Sequence, residues 1–301
     1  MNIIKFAKEY PNEESCRKHF KEQREAEGVT CKNCGETKQW WFQKKEFWKC
    51  AGCGFRTTLR SGTMMKNSNL PFYQWYMAIA FMSFSKKGIS ACELQRQMEH
   101  KNYDTVWSLM HRIRAAMGER DARYTLEDMA EFDEAYVPIA TPEKVRNNLK
   151  RGKGSQRVSN VAVAAESVPL ENIETGETSR ACRYFKMLVV DGHGADAVEE
   201  IVAENVAKDA VIFSDKSSSY TNFSDYVDAH ITVKSTKKAT KKTLQWVHIA
   251  IANLKRNLLG VYHRVNDEYL QNYLHEFCYK LNRRYFGDRL FDRVVVAVID
   301  Y

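Results

Sequence analysis

Four of the eight cysteines fall in two close pairs, Cys31-Lys32-Asn33-Cys34 and Cys50-Ala51-Gly52-Cys53, in the pattern C-x2-C-x15-C-x2-C. Four thiolates at this spacing can close a tetrahedron around Zn²⁺ and leave no open position, so the expected zinc is structural. Gly35, Gly52 and Gly54 offer the backbone freedom that two tight knuckles need. Residues 39–42 and 46–49 read as the strands of a hairpin between the pairs. Trp40, Trp41, Phe42, Phe47, Trp48 and Phe55 supply its apolar area. A module this small cannot hold a fold by burial alone, so the metal must contribute. The other cysteines, Cys16, Cys92, Cys182 and Cys278, are scattered singly and read as small hydrophobes rather than disulfide partners.

A second chemistry is carried by carboxylates. Asp133 sits in an apolar strand-like run over 129–139, beside Glu134, and Asp215 ends the run Val211-Ile212-Phe213-Ser214-Asp215. An unpaired carboxylate in such surroundings is costly. Either a divalent cation relieves that cost or the groups are structural, in turns or ion pairs; spacing alone leaves both open. Mg²⁺ or Mn²⁺ takes oxygen ligands, and two such ions held by shared carboxylates can flank a phosphodiester.

The elements that must position these residues fall into three regions: 1–65, rich in Cys and Trp; 66–128, helical throughout; and 129–301, alternating strand-like and helical. In the middle region 71–84 is a strongly apolar helix. After Lys87-Gly88, Ser90 and Glu93 form a capping box and Ile89 with Leu94 a hydrophobic staple. That helix ends near Met98, and another begins at Asp104 or Thr105. Val106, Met110, Ile113 and Met117 recur at helical spacing towards a core. Thr105, Ser108, Arg112 and Arg114 are then expected on or beside the outer face. A tight turn followed by a helix with a basic outer face is either a helix-turn-helix reader of the major groove or an ordinary helical hairpin. In the last region, 158–165 and 184–190 read as strands, 195–208 as an amphipathic helix, and 243–258 as a helix. Leu244, Val247, Ile251, Leu254 and Leu258 lie along one seam of the last helix, with Asn253 on a neighbouring face. Residues 141–156 form the one linker candidate.

The chain has 301 residues and a formal net charge of +8; 44% of residues are hydrophobic and 28% charged. No apolar run is long enough to span a bilayer and no signal core opens the chain, so a cytoplasmic location is expected. Basic residues cluster at Lys144, Arg146, Lys150, Arg151, Lys153 and Arg157, and again at Lys234, Lys237, Lys238, Lys241 and Lys242. Such clusters suit a phosphate backbone or a solvated loop. His193, between two glycines, reads as structural.

Ordered motifs run along nearly the whole chain. They begin with Asn12-Glu13-Glu14-Ser15-Cys16, the CxxC pairs, Arg60-Ser61-Gly62-Thr63, Leu70-Pro71 with Trp75, and Lys86-Lys87-Gly88-Ile89-Ser90. Trp107 and His111-Arg112-Ile113-Arg114 follow, then Phe132-Asp133-Glu134-Ala135-Tyr136, Ser214-Asp215, and His248 with Asn253-Leu254-Lys255-Arg256. Gly260-Val261-Tyr262-His263, Glu276-Phe277 and Leu281-Asn282-Arg283-Arg284 close the series. With these, the sequence resembles the DDE transposases of bacterial insertion sequences, in the ISXO-like group with an N-terminal zinc ribbon.

The resemblance implies a multi-domain protein: a small zinc ribbon (1–65), an all-α helix-turn-helix DNA-binding domain (66–128), and an α/β RNase H-like catalytic domain (129–301) with a mixed sheet flanked by helices. It implies Asp133 and Asp215 as the first two catalytic acids, with Asn253 at the third position, a glutamate in many relatives. Two Mg²⁺ or Mn²⁺ ions would bind there, at a site formally −2 rather than −3. Lys255 resembles the basic residue that accompanies the motif. It lies about 200° round the helix from Asn253 and shares a face with His248, which assigns it to DNA phosphate. Lys150, Arg151, Lys153, Lys238 and Arg256 are further expected DNA contacts. Glu276 is a reserve third acid, and His263, Arg283 and Arg284 are left without a role. The implied reaction is in-line attack on phosphorus: water cleaves the ends of the element, and the freed 3′-hydroxyls attack target DNA. The implied partners are double-stranded DNA, as terminal inverted repeats and target, and further copies of the chain in a dimer or larger assembly on the bacterial nucleoid. Two rival readings stand: a catalytically decayed, DNA-binding regulator, and a nuclease of the same fold that cuts without joining.

Overall fold

The computed structural model describes residues 1–141, 149–150, 155–171, 176, 178–190, 195–234 and 243–300. The chain divides into two compact units, Met1–Arg120 with Arg283–Tyr301, and Asp121–Asn282. The expected three regions thus meet two units, and the C-terminal stretch belongs with the N-terminal one. No helix of the described residues is long and apolar enough to cross a membrane.

In the first unit, α1 (Ile3–Glu9) and α2 (Glu13–Glu27) start on asparagine caps, and Asn12 forms a full capping box with Ser15. A three-stranded antiparallel sheet follows: β1 (Gln39–Phe42), β2 (Phe47–Cys50) and β3 (Arg56–Thr58). The hairpin expected between the cysteine pairs is β1–β2, and β3 adds a strand the sequence reading did not include. Arg24 of α2 binds the sheet's exit, donating to the carbonyls of Thr58 (2.8 Å), Leu59 (2.8 Å) and Ser61 (3.1 Å).

Helix α3 (Phe72–Phe84) has no local side-chain cap; the Glu13 carboxylate accepts from the N–H groups of Phe72 and Tyr73 instead. Helices α4 (Ala91–Gln97) and α5 (Tyr103–Ala122) stand where the middle region predicted them. Ser90 caps α4 by accepting from the Glu93 N–H at 3.2 Å, but the Glu93 carboxylate pairs with Arg96 and Gln97, so only half of the expected box forms. The last helix, α9 (Leu290–Ile299), is buried along almost its whole length and packs on α2 and α3. Its Val298 carbonyl accepts from the Met64 N–H at 2.9 Å.

The second unit is built on a mixed five-stranded sheet. Its strands are β4 (Met129–Pro138), β5 (Val158–Glu171), β6 (Thr178–Val189), β7 (Val211–Asp215) and β8 (Ala229–Val233), in the order β6-β5-β4-β7-β8. β4, β5 and β6 pair antiparallel; β7 runs parallel to β4, and β8 parallel to β7. Alternation along β4 splits its side chains between two cores. Ala130 and Phe132 join Val198 and Val202 of α6 (Ala195–Asn205). Ala135 and Val137 join Val247, Ala250 and Leu254 of α7 (Gln245–Asn257) and Leu270, Leu274 and Cys278 of α8 (Asp267–Asn282). A mixed five-stranded sheet with helices on both faces is consistent with an RNase H-like fold.

Candidate active site

β4 and β7 run in register as Met129↔Val211, Ala130↔Ile212 and Glu131↔Phe213. Two residues further on, Asp133 comes beside Asp215 on parallel strands spaced ~4.8 Å apart. Both alternate onto the sheet face that α7 covers. Burial pushes the Asp133 carboxyl above its ordinary range; the Glu134 N–H and His248 oppose the rise, while the charges of Asp215 and Glu134 add to it. The Glu134 N–H donates to Asp133 Oδ1 at 2.8 Å, and the Ser217 N–H donates to Asp215 Oδ1 at 3.1 Å. Two carboxylates are thus fixed by backbone donors, and the Asp215 charge disfavours that of Asp133. That electrostatic arrangement suits a cation.

Helix α7 brings the third group. Its cap residue, Leu244, has no capping side chain. Glu131, fully buried on β4, supplies the acceptor from across the layer: Oε2 takes the N–H groups of Trp246 (2.7 Å) and Val247 (3.1 Å). This anchors the first turn two residues upstream of Asp133 and sets His248 over the site. His248 Nδ1 lies 3.8 Å from Asp133 Oδ2, and its Nε2 is shielded from solvent with no hydrogen-bond partner among the described residues. Asp133, Asp215 and His248 are less closely drawn together than the four thiols. The two carboxylates supply oxygen ligands of the kind that Mg²⁺ or Mn²⁺ takes, and the imidazole stands beside Asp133.

Asn253 falls elsewhere. Five residues beyond His248, it lies about 140° round the helix, and its Oδ1 accepts from Arg256 at 2.9 Å. The structure thus sets His248 beside Asp133, with Asp215 on the neighbouring strand, and turns Asn253 towards Arg256. Lys255, seven residues from His248, returns to nearly the same side and is exposed, as is Arg256. Sequence reasoning used His248 only as a landmark and did not name Glu131. The signal for His248 was its spacing of two helical turns from Lys255; Glu131 gave only its alternation with Asp133. Glu276, the reserve acid, is engaged by Tyr262 and Lys280, each at 3.4 Å.

In the first unit, the Sγ atoms of Cys31, Cys34, Cys50 and Cys53 all lie within 4.8 Å of one another, with Cys31–Cys53 and Cys34–Cys50 at 3.5 Å. A zinc–sulfur tetrahedron has edges of about 3.8 Å, so this group could hold zinc. The two knuckles repeat one geometry. Gly35 and Gly54, each at φ +75°, donate to the carbonyls of Cys31 and Cys50.

The expected DNA-facing residues of α5 divide. Ser108 is exposed and Thr105 half-exposed. The placement of the arginines is corrected: Arg114 is 1% exposed, and Arg112 donates to the carbonyls of Met64 and Lys66 and lies over the Trp75 ring. α5 is covered on more sides than one periodic stripe implies. Of the basic clusters, Lys150 is exposed, while Arg151, Lys153, Lys238 and most of their neighbours lie outside the described residues, as does His193. Arg284 stacks over Tyr285, and His263 follows a single π-helical stretch with φ +57°.

The model of the ISXO2-like transposase domain matches residues 125–282. No curated protein matches the chain. Among solved structures, the Mos1 transposase in its paired-end complex with the left transposon end is similar over 97% of this chain and 99% of that one, at 11% identity and a TM-score of 0.24. The family match begins four residues into the second unit and ends with it at Asn282, and on it the chain belongs to the family of the ISXO2-like transposase domain.

Proposed function

We propose that this transposase binds the ends of an insertion sequence and catalyses metal-dependent cleavage and joining of DNA strands at Asp133, Asp215 and His248. The observation that carries this reading is the pairing of two carboxylates on adjacent parallel strands beneath an imidazole with an orphaned nitrogen. Asp133 and Asp215 would hold Mg²⁺ or Mn²⁺, with His248 in place of the Asn253 expected from sequence. Bound there, the metal would activate the attacking oxygen and stabilise the leaving oxygen at phosphorus. The Glu134 and Ser217 N–H groups keep the two carboxylates from turning away, and Glu131 holds α7 so that His248 stays over them. Lys255 and Arg256, exposed on α7, are positioned to take phosphates.

The remaining parts support DNA handling. The thiolates of Cys31, Cys34, Cys50 and Cys53 hold structural zinc. The α4–turn–α5 segment offers Thr105 and Ser108 to a groove, with Arg112 and Arg114 supporting it from within. Duplex DNA, as element ends and target, is the partner, and joining two ends calls for at least a dimer.

The test is an end-cleavage and strand-transfer assay with Mg²⁺ and Mn²⁺. Wild type should nick and join; Asp133→Asn and Asp215→Asn should bind the end as wild type does and lose both products. A wild type that binds but never cuts with either metal would establish the regulator reading, and one that cuts without joining would establish the nuclease.

A further inference from the structure

The outer face of the cysteine-ribbon sheet carries a set of side chains that neither the zinc site nor the α4–α5 segment uses. Register pairs Trp40 with Lys49 and Lys49 with Arg56, and pairs Phe42 with Phe47 and Phe47 with Thr58. Directly paired residues share a face, so these two rows lie on one side of the sheet. The other side, Trp41, Trp48 and Thr57, turns towards α2: Lys21 lies over Trp41, Arg24 over Trp48, and Trp48 Nε1 donates to Glu25. On the outer side Trp40 is 56% exposed and Phe42 45%, although both are large rings that could have been buried. Phe55, next to Arg56 in sequence, is 43% exposed.

Cations surround these rings. Lys38 lies over Trp40 at 5.4 Å and Arg56 over Phe47 at 5.2 Å. Residues 38–56 hold Lys38, Lys44, Lys45, Lys49 and Arg56 against one acid, Glu46, and that acid is ion-paired with Arg17. The surface is therefore aromatic and positive.

We infer that this face is a binding site for unpaired nucleotides of DNA, with Trp40 and Phe42 stacking on bases and Lys49 and Arg56 holding the phosphates between them. Positive charge alone would fit any polyanion. The exposed rings narrow the choice, because an aromatic face can cover a base only when that base is out of the duplex stack. Trp40 and Phe42 are two residues apart on one strand, about 6.7 Å, close to two base rises of ~3.4 Å. The site goes beyond the cleavage reading and does not depend on it, since it lies in the other unit and its assay reads binding.

The test uses the zinc-loaded full chain and fluorescence anisotropy with three probes of one sequence: a single strand, a blunt duplex, and a duplex with an unpaired tail. The wild type should bind the tailed duplex more tightly than the blunt one. Trp40→Ala/Phe42→Ala should weaken binding to the single strand and the tail about tenfold or more, leave the blunt duplex within about twofold, and keep the zinc content and circular dichroism of wild type. Trp40→Tyr should restore most of the loss, because it returns a ring. Lys49→Ala/Arg56→Ala should lower the salt dependence of single-strand binding by about 1.4 in log–log slope. Equal binding of tailed and blunt duplexes by wild type would overturn the inference. So would an equal loss on both probes in the aromatic variant, which would mark a duplex contact. A change in oligomeric mass with DNA binding intact would make the face a protein interface and overturn it as well.

Discussion

Asp133 sits among opposing electrostatic influences. Burial and two neighbouring carboxylates push its proton affinity up, and one backbone N–H and one imidazole push it down. A group so placed gains from a cation, and which third side chain shares that cation is open to direct test. His248→Ala should reduce Mg²⁺-dependent cleavage at least ~100-fold and shift the metal titration to higher concentration, as loss of a ligand does. Asn253→Ala should leave the metal titration where it was, because its amide is spent on Arg256. Cleavage rate against metal concentration, with DNA binding as control, checks both. If Asn253→Ala shifts the titration and His248→Ala does not, the third position returns to Asn253. The sequence announced Asp133 and Asp215 through a resemblance and through their apolar settings. For the third position it offers Asn253 through the resemblance alone, because motif spacing does not say which flank of a helix meets a sheet; that depends on contacts across the layer such as that of Glu131.

At the scale of elements, Glu131 joins strand to helix. Glu131→Gln keeps an acceptor but loses its charge, and should cost about 1–2 kcal/mol of stability; Glu131→Ala leaves two buried N–H groups unsatisfied and should cost more. Cleavage should fall further than stability explains, since His248 drifts from Asp133. Thermal melts beside cleavage rates under folded conditions separate the two, and a variant that melts lower but cuts as wild type would refute the positioning role. α8 adds a pH dependence. Burial lowers the His275 imidazole from its ordinary 6.5 to about 4, with the Asp121 charge opposing. The unfolded chain therefore takes up a proton that the folded unit refuses across that window. Stability should be flat above pH 6.5 and fall towards pH 4, by about 3 kcal/mol in all from this group. His275→Gln should flatten that part of the profile, and an unchanged slope between pH 6.5 and 4.5 would exclude His275 as its source. Elements with strong periodicity, such as α3, β4 and α7, were legible from sequence. β3 and β8, of three and five residues, were not, because so short a strand is defined by its neighbours. The inward turn of Arg112 and Arg114 was equally hidden, since a helix stripe shows one covered face and not a second.

On the scale of the whole molecule, the chain builds two cores and closes the first with its last helix. The segment Val294-Val295-Val296-Ala297-Val298-Ile299 is rich in β-branched residues, which disfavour a helix when exposed. It is helical here because it is buried on nearly all sides against α2 and α3, and tertiary burial outweighs that propensity. Nothing in a short apolar run tells which distant partners it will meet, so the sequence could assign 283–301 only to the region it follows. Removing residues 290–301 strips Phe291, Val294, Val295 and Val298, all fully buried. Large core truncations cost about 2–5 kcal/mol each, and four together are comparable to the ~5–15 kcal/mol that holds a domain. The first unit should therefore unfold in the truncated chain, with loss of protection in α2 and α3 and a weaker grip on zinc. Residues 121–282, which keep the whole sheet and both of its cores, should hold their protection. Hydrogen exchange resolved by peptide distinguishes the outcomes: exchange confined to the first unit supports two cores, and parallel loss of protection in β4, β5 and β7 would show that the molecule folds as one.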